Sequence, residues 1–154
     1  MTKIYFDGFS SPHKHEAAGY AVVVEDDQIG TLFSKIVYVN PTQTNNECEL
    51  LGLKAALEWA RTAQIPRRIT YLTCYRKWVS EVIYSPFRGI VYGDSKLAVD
   101  LYNRRVRTKV TRLSNIVESL SVYSPRKRYN VHWISRQHNV AGKLIASFRG
   151  KSAK

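Results

Sequence analysis

In TNNECELLGLKAAL, residues 44–57, the hydrophobic period changes from two to between three and four. Thr44-x-x-Glu47 has the form of a capping box, and Leu50, Leu53, Leu57 and Ala60 fall on one face of the helix it opens. Pro66 is expected to close that segment, and Glu49 to stand in its first turn, near the positive end of the helix. Upstream the period is two. Ile4 and Phe6 alternate with Tyr5 and Asp7, Gly19 to Glu25 form a β-branched run, and Leu32 to Val39 form another after a turn at Asp26, Asp27 and Gly30.

Downstream, GIVYGDSKLAV (89–99) reads as a strand ending at Asp94, with Ser95 capping a helix that carries Leu97, Ala98, Leu101 and Tyr102. A second helix has Val110, Leu113, Val117 and Leu120 at helical spacing, with Arg107, Lys109 and Arg112 mostly facing elsewhere. Tyr129 to Ser135 is a last strand and Val140 to Phe148 a short terminal helix. The order βββαβααβα implies an α/β layer fold with a mixed sheet, its first strands antiparallel and its later ones joined by helical crossovers.

At 154 residues and 44% hydrophobic, the chain fits a single domain over 1–150 with a basic tail at 151–154. No segment approaches the roughly 20 apolar residues needed to span a bilayer, and the N-terminus has no apolar signal core, so no membrane partner and a cytoplasmic location are expected. Cys48 and Cys74 have neither metal-ligand spacing nor a disulfide framework, and read as buried free thiols. The net charge of +12 is unevenly placed. Residues 1–100 hold 11 Lys/Arg and 11 Asp/Glu, while residues 101–154 hold 13 Lys/Arg against Glu118 alone. A one-sided basic field attracts polyanions, and nucleic acid is preferred over a ribosomal or membrane-surface partner because an acidic, metal-like constellation shares the chain.

That constellation is Asp7 in KIYFDGF, Glu49 and Asp94. Each ends a strand-like run or opens a helix, so the three can converge in space while far apart in sequence. Acids held together without neutralising one another call for a divalent cation.

These residues resemble type 1 ribonuclease H. The resemblance runs over most of the chain: FDG on the first strand, Gly19 opening the second, TNN-x-x-ELLGLKAAL, GDSKLAV, and HWISRQHN on the last strand. Four such motifs in order are specific where each alone is weak. The version resembled is the compact one without a basic protrusion. It implies an RNase H-like fold with a five-stranded mixed sheet, three antiparallel strands then two parallel, flanked by helices. It also implies hydrolysis of the RNA strand of RNA–DNA hybrids by Mg²⁺, with Mn²⁺ as a substitute, on Asp7, Glu49 and Asp94. Double-stranded RNA is a further partner it allows, and the oligomeric state is left open.

By the same resemblance Gly8, Thr44, Asn45, Asn46, Ser95, Arg136 and Asn139 fall at substrate-side positions, Asn45 and Asn46 toward the minor groove. The helix N-terminus at Thr44 suits a phosphate, although capping alone would also explain that residue. Arg104, Arg105 and Arg107, with Lys109 and Arg112, suit the DNA-strand backbone, as does the turn Arg126–Arg128. His138, in a loop where the family uses a His for proton transfer or product release, is a catalytic candidate, with a surface His that caps the final helix as the alternative. His13 and His15 read as exposed, and His132 as packed.

The chain departs from the family in its last motif, where a fourth Asp is expected. Aligned on its Asn, HNVAGKLIAS puts Lys143 there; aligned on its Ala, it puts Gly142. Neither is a carboxylate. Lys143 is therefore a catalytic candidate that supplies positive charge near the attacking water, and a noncatalytic hybrid- or double-stranded-RNA-binding module is the alternative reading. A second departure is an insertion at about 69–88, ITYLTCYRKWVSEVIYSPFR. Ile69 to Tyr75 looks like a strand that could compete with Gly89 to Tyr92 for the fourth position, but its Cys74 would then replace the carboxylate, which favours GIVYGDS as the catalytic strand. Packing is preferred over base stacking for Trp78, Val82, Ile83, Tyr84 and Phe87.

Overall fold

A computed structural model of the chain describes residues 1–11, 17–123 and 129–152, with side chains through residue 149. His13, His15, the turn Arg126–Arg128 and the last two residues of the expected tail lie outside the described residues, whereas residues 151–152 complete the terminal helix. Strands β1 (Thr2–Ser10), β2 (Ala18–Asp26) and β3 (Gly30–Val39) form the expected meander. The buried Thr2 hydroxyl donates to Asp26 Oδ2 at 2.7 Å, and Oδ1 of Asp26 accepts the Gln28 N–H, which fixes the second turn.

Helix α1 (Asn45–Thr62) is followed by a hairpin of β4 (Gln64–Leu72) and β5 (Trp78–Pro86), then β6 (Ile90–Gly93), α2 (Lys96–Tyr102), α3 (Thr111–Leu120), β7 (Asn130–Trp133) and α4 (Val140–Ser152). The main sheet has the order β3-β2-β1-β6-β7, antiparallel across β3-β2-β1 and parallel across β1-β6-β7. Five strands, three antiparallel and then two added in parallel, with helices on both sides, are the architecture expected from the sequence.

The alternation in β1 builds two cores. Ile4 and Phe6 pack with Val22, Val24, Leu50, Leu53 and Leu57 beneath α1, while Tyr5 and Phe9 pack with Ala21, Val23, Ala141 and Ile145 beneath α4. Carbon buried on both faces fixes the register of β1, since a one-residue slip would exchange its faces. Among the described residues no helix is long and apolar enough to cross a membrane.

Several expectations are corrected. The helix ends at Thr62, not at Pro66, which lies inside β4 opposite Tyr84. A proline is tolerated there because β4 belongs to a two-stranded ribbon with a free edge. The place beside β1 goes to β6, the strand the sequence favours, with Tyr5 opposite Tyr92, and the hairpin forms a separate ribbon. Of the hairpin aromatics and aliphatics expected to pack, only Phe87 is buried; Trp78, Val82, Ile83 and Tyr84 are exposed. Cys48 is buried but Cys74 is exposed. His132 is exposed, resting near the Tyr92 ring rather than in a core.

Candidate active site

Asp7 sits on β1, where the strand passes the start of α1. Gly8 allows that approach: a Cβ on it would fall 2.4 Å from the Glu49 backbone nitrogen and 2.6 Å from the Cys48 carbonyl carbon. Asp94 follows β6 directly and is held from the far side, because the indole Nε1 of Trp133 donates to the Asp94 carbonyl at 3.1 Å. The result is one cluster. Asp7, Glu49 and Asp94 each offer an oxygen, and these oxygens lie within 4.8 Å of one another. Asp7 is 7% and Glu49 5% exposed. Their cleft is also lined by Gly8, Asn45, Ser95 and Arg136.

Burial pushes the Asp7 carboxyl up to about 6, with the neighbouring Asp94 adding to the effect. Glu49 is raised further, first by burial and then by Asp7. Oδ1 of Asp7 accepts the Gly8 N–H at 3.0 Å, but Oε2 of Glu49 is buried with no hydrogen-bond partner among the described residues. Like charges in low dielectric are relieved by a proton or by a cation. Three hard oxygen donors, one of them an orphan, fit a divalent ion of the Mg²⁺ or Mn²⁺ type.

The remaining sequence candidates divide. Thr44 caps α1, its Oγ1 accepting the Glu47 N–H at 3.3 Å, and Asn45 and Asn46 are exposed on the first turn. Glu49 is the fifth helical residue and so lies just beyond that turn. Ser95 caps α2 and accepts the Ala98 N–H. Arg104, Arg105 and Arg107 are exposed in the connection between α2 and α3 rather than on a helix, and Arg105 lies 3.6 Å from Asp100. Arg104 takes a left-handed φ of 59° as the chain leaves α2. His138 is exposed on a 3-10 turn, its Nδ1 2.6 Å from Ser135 Oγ and outside the residues that line the cleft.

Asn139, expected on the substrate side, is fully buried instead. Its Nδ2 donates to the Phe6 carbonyl at 2.9 Å and its Oδ1 accepts the Ala141 N–H, so it fastens α4 to β1 one residue from Asp7. At the fourth corner Lys143 is exposed, while a Cβ on Gly142 would stand 3.0 Å from Asp7 Oδ2. Of the two, Gly142 is thus the residue seen against Asp7.

Three positioning contacts escaped the sequence reading: Trp133 to the Asp94 carbonyl, Asn139 to Phe6, and Arg112 to Glu47. In the last, Arg112 Nε lies 3.2 Å from the buried Glu47 carboxylate, which pins α3 to the start of α1 and takes Arg112 away from the expected basic group. Each joins residues distant in sequence, and no local pattern announces it.

No protein-family model and no curated protein matches the chain. Solved structures do. LC11-RNase H1, isolated from compost and solved in complex with an RNA/DNA hybrid, superposes with a TM-score of 0.69 at 21% identity over 100% of both chains. The N-terminal RNase H domain of a Mycobacterium tuberculosis protein gives 0.66 at 23% identity over 99% of this chain and 98% of that one. RNase H1 of the archaeon Halobacterium salinarum gives 0.61 at 19% identity over 93% and 92%. Full-length superposition, the sheet order and helices on both of its faces together give this chain the type 1 ribonuclease H-like fold.

Proposed function

We propose that the protein is a divalent-metal-dependent endoribonuclease that hydrolyses the RNA strand of RNA–DNA hybrids. The observation that carries the reading is the convergence of Asp7, Glu49 and Asp94 within 4.8 Å, in a cleft on a ribonuclease H-like fold. These carboxylates would hold Mg²⁺ or Mn²⁺, and the bound metal supplies activation of water and charge neutralisation at the phosphodiester. The chain's own residues do the rest. Burial of Glu49 keeps water from its carboxylate, so a cation gains more there than at the surface. Asn45 lines the cleft with donors and acceptors suited to a ribose edge, and Arg136 brings a positive charge to the same rim. Arg104, Arg105 and Arg107 form an exposed basic run suited to the second strand's phosphates. Two unpaired cysteines agree with a reducing, cytoplasmic setting.

A noncatalytic module that binds hybrid or double-stranded RNA is the second reading, favoured by the lack of a carboxylate at the Gly142 corner. Hybrid cleavage in Mg²⁺ and in Mn²⁺, run beside Asp7→Asn, separates the two. Cleavage that falls by at least about 100-fold in Asp7→Asn is expected if the carboxylates act through metal. Tight hybrid binding without cleavage by the wild type would establish the module instead.

A further inference from the structure

The hairpin β4–β5 concentrates exposed apolar surface: among the described residues, seven of the sixteen large hydrophobic side chains that are exposed lie between Tyr71 and Tyr84. A two-stranded ribbon gains little stability by itself, so such exposure calls for an occupant. Residues opposite one another in an antiparallel pair share a face. The pairs Leu72–Trp78, Arg68–Val82 and Pro66–Tyr84 therefore project to one side, with Trp78 72%, Tyr84 65% and Val82 52% exposed. Between them Thr70 and Ser80 are tied hydroxyl to hydroxyl at 3.0 Å. The other side is rooted in the core by Ile65, and it carries the hairpin's one acid, Glu81, which accepts a hydrogen bond from the Tyr71 hydroxyl at 2.9 Å.

Charge identifies the occupant. Residues 64–88 contain Arg67, Arg68, Arg76, Lys77 and Arg88 against Glu81 alone, and the Trp78 face has Arg68 and no acid. A second copy, itself +12, would set like charges face to face. Aromatic faces spaced along a basic ribbon match a strand of phosphates bearing flat bases, and bases free to stack are those left unpaired.

We propose that this face of the hairpin binds single-stranded nucleic acid, with Trp78 and Tyr84 stacking on bases about 20 Å apart along the strand and Arg68 between them on the phosphates. The surface is separate from the carboxylate cleft. It lies past the C-terminal end of α1, a helix that carries Glu49 near its start and runs for about 27 Å. The inference therefore stands whether or not that cleft hydrolyses phosphodiesters.

Fluorescence anisotropy of labelled oligo-dT and oligo-U, titrated with the full chain in EDTA, tests it. The double variant Trp78→Ala/Tyr84→Ala is expected to bind either oligonucleotide at least about 10-fold more weakly, since each stacked base contributes substantially. Arg68→Gln is expected to weaken both alike and to lower the salt slope by about one. The two oligonucleotides decide between RNA and DNA preference. Both variants replace exposed side chains, and unchanged melting temperatures would show the fold intact. Affinities equal to wild type in both, or no oligonucleotide binding by the wild type, would overturn the proposal. So would sedimentation of the wild type as a dimer that Trp78→Ala dissociates, which would assign the face to a second copy.

Discussion

Gly142 stands against Asp7: a Cβ on it would lie 3.0 Å from Oδ2, closer than to any other part of the cluster. The contact is with the end of a side chain, so a small rotation of Asp7 admits a substituent. Gly142→Asp is accordingly expected to bring a fourth carboxylate into the cluster. Metal-free, the variant should melt lower than wild type because another anion joins three. Mg²⁺ should then raise its melting temperature more than that of wild type, with affinity by calorimetry tighter by about 10-fold, the scale on which added ligand support acts. Lys143→Ala, at an exposed site, should leave Mg²⁺ affinity unchanged. The reverse ranking would move the corner to Lys143.

Glu49 and Asp7 make the metal-free fold sensitive to pH. Asp7 is raised by burial and then by Asp94, and Glu49 by burial and then by Asp7, so the folded state resists their ionisation. Below the ordinary carboxylate range both are neutral and no penalty exists. As pH rises through the folded values the penalty grows, and stability from these groups is lost. Glu49→Gln removes one charge, so in EDTA it should be more stable than wild type at pH 8 by about 1–3 kcal/mol and equal to it near pH 4. Chemical denaturation at the two pH values reads this directly; a variant no more stable at pH 8 would contradict the electrostatic picture.

What the sequence disclosed followed from period and order. Ile4, Phe6, Leu50, Leu53 and Leu57 carry their burial in their spacing, and Ser95 and Thr44 cap where capping residues should. The hairpin defeated that logic because its alternating residues look like a half-buried strand, yet no layer of the described residues covers one face; alternation reports two faces and not what covers each. Thr44-x-x-Glu47 was half right. Thr44 caps as expected, but Glu47 turns to Arg112, a choice made by tertiary proximity. The three carboxylates were legible because each stands in a motif of its own, FDG, TNNECE and GDS, although Asp7 lies inside β1 and Glu49 just past the first turn of α1. The fourth corner was not, since two alignments of HNVAGK differ by one residue and only the turn of α4 separates them.

Asn139 sits where the sequence suggested substrate contact, and its burial changes the expected phenotype. Asn139→Ala removes the donor to the Phe6 carbonyl and the acceptor for the Ala141 N–H, leaving both buried groups unpaired. The expected loss is about 2–4 kcal/mol of unfolding free energy, from one to two unsatisfied groups. A residue that merely touched substrate would weaken hybrid binding at unchanged stability. Urea denaturation beside hybrid titration distinguishes these, and an unaltered midpoint would return Asn139 to the substrate side.

Arg112 and Glu47 provide a last test, of how the cleft is held. Glu47 is 3% exposed and its carboxylate faces the Arg112 guanidinium at 3.2 Å, while Arg112 itself is largely in solvent. Arg112→Ala leaves a buried anion unpaired at the start of α1, two residues from Glu49. Solvent screening on the arginine side limits the cost, so about 1–2 kcal/mol of destabilisation is expected. Glu47→Gln in the same background should recover most of it, because the charge left behind causes the loss and the missing contact does not. A double variant as unstable as Arg112→Ala alone would show that the arginine stem matters more than the ion pair.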